Sequence, residues 1–483
     1  MAADAGLTLG LDLGTSAVKV IALEGEAVVA TGSAAFATRQ DAEREASQDC
    51  GDWCDATARA FAALDASLTG AGRGGWQRTV GAVGLTGQLP TLVCLGEDGP
   101  LGPAITWKDG RADAWAESLI DRPLRAALYA RTGMPIDGRY LGPMYRFHYA
   151  GRAGDVRHLL SAKDFLGFVL TGVAATDPST AAGYGAFDLE AGAFAADLAA
   201  RWSLPAAALP PVRRPGDVLG PLTATAAALT GLLPGTPVVV GAADSVCSAL
   251  AMGGLATGTV CVTMGSSTVI LDAVTSARRD PGARYLVTPH ALPDRYGREM
   301  DLLATGTGHD WLTRLLGFAA GELDRAAARS VPGAHGLVAT PYLAGGEQGA
   351  LWDRTLSGSL LGLNLRHGPA DFARAFLEGV YFEIRRCVEV LAETAPVTTV
   401  TVSGHFVREP SSLALLANIL DRPVVPVEAA SPAALGAALV ARHGAALPEP
   451  YWLSALTRPR VEPGADRGHY PALYARYLSE AAR

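Results

Sequence analysis

A repeated pattern of strand, glycine-containing turn and strand constrains this chain more than any other feature. Residues 10–18 read GLDLGTSAV and residues 261–269 read CVTMGSSTV. In both segments an apolar run meets a turn of glycine and hydroxyl residues and then resumes. Further along each half, another apolar run ends in glycine, at residues 85–88 and again at residues 401–405. The repeat predicts two related α/β domains that face each other across a cleft.

The length of the chain agrees with this division. A chain of 483 residues has room for two or three domains. The apolar pattern restarts around residue 235, with a predicted strand at residues 236–241 and a helix that opens at residue 244. We therefore predict one domain at residues 1–243 and a second at residues 244–483.

Charge and composition exclude several classes of partner. The chain has 40 Lys and Arg against 48 Asp and Glu, a net charge of -8, and shows no basic run, which argues against nucleic-acid binding. Its most apolar stretch, residues 238–262, is interrupted by Asp244 and several glycines, so we expect no membrane span. Scattered cysteines without metal spacing and an N-terminus without a signal-peptide pattern predict a cytoplasmic protein.

The usual nucleotide-binding motifs are missing. The chain has three lysines, Lys19, Lys108 and Lys163, and none of them follows a glycine, so a Walker A loop is excluded. The single G-x-G-x-x-G match, at residues 70–75, follows a helix-like segment, whereas a dinucleotide fingerprint follows a strand. We interpret that match as a loop.

The two repeated turns supply a different means of binding phosphate. Glycine allows a ligand close to the backbone, and successive N–H groups around such a turn form a concavity that binds anions. Hydroxyl side chains add donors. The alternative is that the two turns are ordinary hairpins without a ligand. Their repetition favours instead a polyphosphate that the two turns hold from both sides. The candidate phosphate-binding residues are Gly14, Thr15, Ser16, Gly265, Ser266 and Ser267.

Two aspartates stand next to these elements. Asp12 lies in an apolar strand just before the first turn, where burial is costly unless the carboxylate meets a cation. Magnesium beside a polyphosphate would be such a cation. Asp244 lies between an apolar strand and a helix, so it is either a helix N-cap or a reactive group at a strand end.

In several segments the chain resembles the FGGY carbohydrate kinases, within the superfamily of sugar kinases, heat-shock proteins and actin. The resemblance covers nearly the whole chain, and its most specific part is the second family signature, at residues 358–379. The other matching segments read LDLGTS at residues 11–16, GLTGQ at 84–88, PAITWKDGR at 103–111, KDF at 163–165, TD at 176–177 and GAAD at 241–244. Leu89 and Pro90 replace the Met-His pair usual in pentulose kinases, and the adenosine region reads SGHF at residues 403–406 instead of the usual GGGA.

The resemblance implies two actin-like, ribonuclease H-like domains that flank an ATP- and sugar-binding cleft. It implies ATP-dependent phosphorylation of a sugar hydroxyl, with Asp244 as the base that also contacts the sugar, Asp12 holding Mg²⁺, and the two turns gripping the phosphates. The further residues that it implies are Gln88, Trp107 and Asp109 as sugar contacts and Gly306, Asp310 and Gly404 as nucleotide contacts.

The resemblance is greatest to xylulose kinases, which makes D-xylulose the expected substrate and xylulose 5-phosphate the product. Because the Met-His pair is absent, another ketose or a polyol such as erythritol is an alternative substrate. A non-catalytic module that senses sugar or ATP is an alternative of another class, disfavoured because Asp12 and Asp244 are both present. A chaperone-like ATPase is a further alternative, disfavoured because such a protein would not need the segment at residues 107–111. The expected partner is a small sugar or polyol, and a homodimer is left open.

Overall fold

A computed structural model describes residues 6–42, 44–404, 409–444 and 456–481. The strands of the first half are β1 Leu7–Leu13, β2 Ala17–Glu24, β3 Ala27–Ala35, β4 Ser47–Gln48, β5 Val80–Gly87, β6 Thr91–Leu95, β7 Ala104–Thr106, β8 His158–Leu160, β9 Phe187–Asp188, β10 Ala193–Phe194, β11 Val218–Pro221 and β12 Pro237–Val239. Its helices are α1 Cys50–Gly70, α2 Asp113–Leu119, α3 Arg122–Thr132, α4 Leu141–Tyr149, α5 Ala162–Thr171, α6 Pro178–Ala182, α7 Ala196–Arg201, α8 Ala224–Thr230 and α9 Asp244–Ala251.

The second half begins after α9. Its strands are β13 Thr259–Met264, β14 Thr268–Val274, β15 Leu286–Pro289, β16 Tyr296–Leu302, β17 Val338–Thr340, β18 Ser359–Leu361, β19 Thr399–Gly404 and β20 Val424–Pro426. Its helices are α10 Thr305–Leu315, α11 Glu322–Ala327, α12 Pro369–Ala392, α13 Pro410–Leu420, α14 Pro432–His443 and α15 Tyr470–Ala481.

The two halves build related mixed sheets around their central strands. The first sheet has the order β11-β12-β5-β1-β2-β3 and the second has the order β15-β16-β14-β13-β19-β20. In the first, β1 pairs antiparallel with β2 and parallel with β5. In the second, β13 pairs in the same way with β14 and β19. The predicted fold class, two related α/β domains, is confirmed.

The central strands are buried because their side chains are apolar on both faces. All seven residues of β1 are buried, as expected of a strand that is covered on both sides of a sheet. Helix α14, from the second half, packs on this strand and on β5. A Cβ atom at Gly10 would lie 1.7 Å from the carbonyl oxygen of Ala434, and one at Gly84 would lie 2.0 Å from that of Ala437. Glycine at these two positions therefore lets a helix from one half lie directly on the sheet of the other.

One predicted element is different in the structure. The pattern of residues 156–170 predicts a single helix, but His158–Leu160 forms strand β8, which pairs with β6. The helix begins only after Ser161, whose side chain accepts a hydrogen bond from the backbone N–H of Asp164. An N-cap and a strand partner far along the chain thus override the apolar periodicity. No helix in the described ranges is both long enough and apolar enough to cross a membrane.

Candidate active site

A cavity of ≈170 Å³ lies between the two halves of the molecule. The first half contributes loops and the beginnings of helices α6 and α9, and the second half contributes residues of strands β14, β15 and β16. The residues that line it are Thr15, Leu89, Pro90, Trp107, Met134, Arg139, Tyr140, Ser179, Gly183, Ala243, Asp244, Ser245, Ser267, Val269, Leu286, Thr288, Glu299, Asp301, Leu303, Gln348 and Trp352. Carboxylates, a guanidinium group and hydroxyls therefore share the cavity with apolar and aromatic side chains, as expected of a site for a small polar ligand.

Both glycine turns reach this cavity. The first turn closes through a hydrogen bond of 3.1 Å from the backbone N–H of Gly14 to the carbonyl oxygen of Ala17. The second turn is one residue tighter and closes through a hydrogen bond of 2.8 Å from the backbone N–H of Gly265 to the carbonyl oxygen of Ser267. Thr15 and Ser267 line the cavity, while Ser16, Gly265 and Ser266 are exposed and do not line it. The structure thus brings the two predicted turns, about 250 residues apart in the chain, to one site.

Asp244 lines the same cavity from the first turn of helix α9. Ala243 occupies the cap position of this helix, so Asp244 is its first residue and not its N-cap. The Asp244 carboxylate accepts a hydrogen bond of 2.9 Å from the backbone N–H of Ser245. Burial, followed by the negative charge of nearby Asp12, raises the pKa of Asp244 to about 7. This carboxyl can therefore exchange a proton close to neutral pH.

Asp12 is buried beneath the first turn. Its Oδ2 atom accepts a hydrogen bond of 3.2 Å from Ser431 Oγ and lies 3.7 Å from Lys19 Nζ. Its Oδ1 atom is buried and has no hydrogen-bond partner among the described residues. Burial raises the pKa of this carboxyl. An oxygen with an unused acceptor position next to a predicted phosphate-binding turn fits a hard cation such as Mg²⁺.

The surrounding residues agree with a cation held partly by phosphate. Within the described ranges, no three His, Cys, Asp or Glu side chains converge on a single metal position. Magnesium is commonly held by one or two carboxylates together with substrate phosphates and water, without a complete protein cage. The donor set around Asp12 therefore fits an ion that arrives with a polyphosphate.

The three predicted sugar contacts have different surroundings. Trp107 lines the cavity. Gln88 is buried, and its Nε2 atom donates to Gln48 Oε1 at 2.7 Å, while Gln48 in turn donates to the carbonyl oxygen of Thr15. Asp109 is 1% exposed, and its oxygens accept hydrogen bonds from Ala46 N and from Arg111. Gln88 therefore supports the first turn, and Asp109 supports the loop next to Trp107.

Two of the three predicted nucleotide contacts lie against the second turn. A Cβ atom at Gly306, in the first turn of α10, would lie 1.9 Å from the carbonyl oxygen of Gly265. A Cβ atom at Gly404 would lie 2.1 Å from that of Met264. Asp310 lies one turn further along α10 and is exposed. The structure thus gathers the glycines around the turn, whereas His405 and Phe406 of the predicted adenosine region lie outside the described residues.

Comparison with known proteins decides the family. Residues 7–251 match the N-terminal domain of the FGGY family of carbohydrate kinases, and residues 257–445 match its C-terminal domain. This chain belongs to the FGGY family. The members of this family are ATP-dependent sugar phosphotransferases, so the prediction of an enzyme of this class is confirmed.

Individual relatives of this FGGY kinase differ in substrate. The chain is 30% identical to the xylulose kinase of Bacillus subtilis (strain 168), over 90% of the chain and 88% of the relative. It is also 30% identical to the glycerol kinase of Gloeobacter violaceus, over 92% and 89%. The crystal structure of xylulose kinase from Rhodospirillum rubrum matches with a TM-score of 0.87 and 32% identity, covering 99% of this chain and 98% of the other. The class of reaction is therefore shown, and the substrate is not.

The structure adds residues of this FGGY kinase that the sequence reading does not single out. Glu299 and Asp301 reach the cavity from alternate positions of β16, and Arg139 reaches it from the first half. The segment GREMDLL at residues 297–303 carries a signal that could have found two of them, because its charges alternate with apolar residues as in a strand with one polar face.

A second set of residues lies behind Asp244. Lys163 Nζ is buried between Asp164 Oδ1, at 2.7 Å, and Asp177 Oδ1, at 3.1 Å, and it donates to the carbonyl oxygen of Val240 at 3.1 Å. Asp177 also accepts a hydrogen bond from Ser179 Oγ, and that hydroxyl accepts one of 2.9 Å from the backbone N–H of Ala243. This buried network therefore holds the loop that carries Asp244.

Proposed function

We propose that this FGGY kinase transfers the γ-phosphoryl group of ATP to a hydroxyl group of D-xylulose, giving xylulose 5-phosphate and ADP. The observation that carries the proposal is that Thr15, Asp244 and Ser267 line one cavity between the two domains. D-xylulose is preferred because xylulose kinases are among the relatives of at least 30% identity. A glycerol kinase at 30% identity supports the alternative of another ketose or a polyol such as erythritol.

In the proposed reaction, Asp244 holds the substrate hydroxyl and takes its proton as the hydroxyl oxygen attacks the γ-phosphorus atom. The bond between that phosphorus and the bridging oxygen breaks in line with the attack, and ADP leaves with the electron pair. The backbone N–H groups and hydroxyls of the turns at Thr15 and Ser267 face the phosphates. A carboxyl with a pKa of about 7 suits a general base near neutral pH.

The proposal includes Mg²⁺ as a cofactor. Asp12 would hold the ion, directly or through water, because one of its buried oxygens has no hydrogen-bond partner among the described residues. When bound, the ion would neutralise charge on the phosphates as they are transferred. The cytoplasmic location and the homodimer considered from the sequence stay predictions.

A screen for substrates and one substitution test this function. Release of ADP is measured across ketoses and polyols, and the best substrate is then used with Asp244→Asn. Because the amide cannot take up the proton, we expect kcat to fall by at least about 100-fold. Exposed Asp98, away from the cavity, provides the control Asp98→Asn, which should keep normal turnover.

The same variant has a stability readout. The folded-state pKa of Asp244 is raised from 3.8 to about 7, so this carboxyl lowers the stability of the fold as pH rises between those two values, and the loss is complete above about pH 7. Asp244→Asn should therefore melt no lower than the natural protein at about pH 8. Near-normal turnover in a folded Asp244→Asn protein would contradict the proposed base.

A further inference from the structure

The wall of the cavity that the second domain contributes is acidic. Glu299, Asp301 and Leu303 lie at alternate positions at the end of β16 and just beyond it, and all three line the cavity. Alternate residues of a strand point to the same face, so this wall is a direct product of the strand's register. Asp244 approaches the same space from helix α9.

Among the described residues, the two carboxyls of this wall form no direct ion pair with the neighbouring arginines. Arg139 lines the cavity, but its guanidinium group binds Asp137 at 2.6 Å. Arg354 binds the same Asp137 at 2.7 Å and Asp113 at 3.1 Å. Arg44 also binds Asp113, at 3.1 Å, so three arginines and two aspartates form this group. The positive charge of Arg139 offsets only part of the rise in the pKa of Asp301.

Burial makes the two carboxyls depend on hydrogen-bond donors. Glu299 is 9% exposed, and its Oε2 atom accepts a hydrogen bond of 2.8 Å from Ser245 Oγ. Burial raises the pKa of Glu299 well above its usual value and that of Asp301 to about 7. Ionised carboxylates only accept hydrogen bonds, so a ligand that supplies donors to them relieves the cost of burial.

We propose that Glu299 and Asp301 determine specificity by accepting hydrogen bonds from the hydroxyl groups of an uncharged polyhydroxy substrate and by excluding sugar acids. A carboxylate on the substrate would be enclosed beside Asp244, Glu299 and Asp301, where burial and mutual repulsion already disfavour negative charge. This inference rests on the proposed function, because it concerns the acceptor that occupies the same cavity. It assigns the exclusion of acidic acceptors to two residues that the proposed reaction does not otherwise use.

The test compares a neutral and an acidic acceptor on the full chain. Values of kcat/KM are measured with D-gluconate and with D-xylulose, or with the neutral substrate that the screen finds best. We expect the natural protein to prefer the neutral compound by at least about 100-fold. Glu299→Gln combined with Asp301→Asn should reduce that preference by at least about 10-fold.

A matched control removes two charges elsewhere. Glu26 and Asp98 are exposed, so Glu26→Gln combined with Asp98→Asn changes the net charge equally and should leave the preference unaltered. Melting curves identify folded variants, and the two single substitutions replace the pair if it does not fold.

Three outcomes would overturn the inference. The first is a kcat/KM of the natural protein for D-gluconate within about 10-fold of its value for the neutral compound. Another is an unchanged preference in the folded variants, and the third is an equal effect of the control pair. If the natural protein phosphorylates none of the acceptors, the proposed function fails. In that case calorimetry can still test the inference by measuring the affinities for D-gluconate and D-xylulose. Equal affinities would overturn it.

Discussion

At the scale of single residues, three carboxyl groups influence one another around the cavity. Burial is the main reason that the pKa of Asp244 rises to about 7, and the negative charges of Asp12 and Asp301 add to it. The positive charge of Lys19 acts in the opposite direction. The environment therefore tunes the proposed base toward neutral pH through charges that can be removed one at a time.

The pH profile of kcat/KM for the sugar tests this tuning. A base must be deprotonated to act, so activity should fall on the acid side with a midpoint near the pKa of about 7. Asp12→Asn removes a like charge and should move this acid limb to lower pH. Lys19→Met removes an opposite charge and should move it to higher pH.

An acid limb that stays in place in both variants would contradict the assignment of this titration to Asp244. The Asp12→Asn protein has a second readout. If Asp12 holds the magnesium ion, this variant should bind sugar normally in calorimetry but need more Mg-ATP to reach half its maximal rate.

At the scale of elements, the loop between β12 and α9 is anchored along its whole length. Val240 O accepts from Lys163 Nζ at 3.1 Å, and Ala242 O accepts from Thr86 Oγ1 at 2.8 Å. Ala243 N donates to Ser179 Oγ at 2.9 Å. These hydrogen bonds fix the backbone of the residues just before Asp244. The loop therefore determines where this carboxyl points.

Ser179→Ala tests whether this anchoring matters for catalysis. The substitution leaves the Ala243 N–H without its acceptor, so we expect kcat to fall by about 10-fold through misplacement of Asp244. The KM for ATP should change little. Thr230→Val is the control, because it removes a buried hydroxyl from the last residue of helix α8, away from the cavity. That hydroxyl accepts a hydrogen bond from the backbone N–H of Leu232. Equal kcat losses in the two variants would indicate a general loss of stability.

At the scale of the whole molecule, the cavity is formed only where the two domains meet. Arg354, from the second half, binds Asp113 and Asp137 of the first half. Two hydrogen bonds to backbone carbonyl oxygens also join the halves, from Tyr129 Oη to Tyr285 O at 2.6 Å and from Val287 N to Gly133 O at 2.8 Å. Binding of sugar and nucleotide between the domains should therefore draw them together and exclude water.

Small-angle scattering tests this closure. The radius of gyration should decrease when sugar and a non-hydrolysable ATP analogue are added together. Arg354→Met removes both ion pairs, so its ligand-free protein should be more expanded than the natural one. Superimposable profiles with and without ligands would argue against closure.

The sequence alone was enough to predict the two hairpins, the related sheets and the kinase family. Each of these depends on a pattern confined to about ten neighbouring residues, such as an apolar run that meets a glycine turn. The placement of Thr15 and Ser267 at one cavity follows from the same repeat. The division at residue 243 and the roles of the predicted site residues stay predictions.

Only the tertiary structure decided which distant side chains meet. Ser431 contacts Asp12 although the two are 419 residues apart, and Ser179 contacts Ala243 across 64 residues. It also decided that residues 158–160 form a strand, and that Glu299 and Asp301 face the cavity. The physical reason is the same for all of them. A local pattern determines which face of an element is apolar, but the partner that covers that face is chosen by the packing of the whole chain.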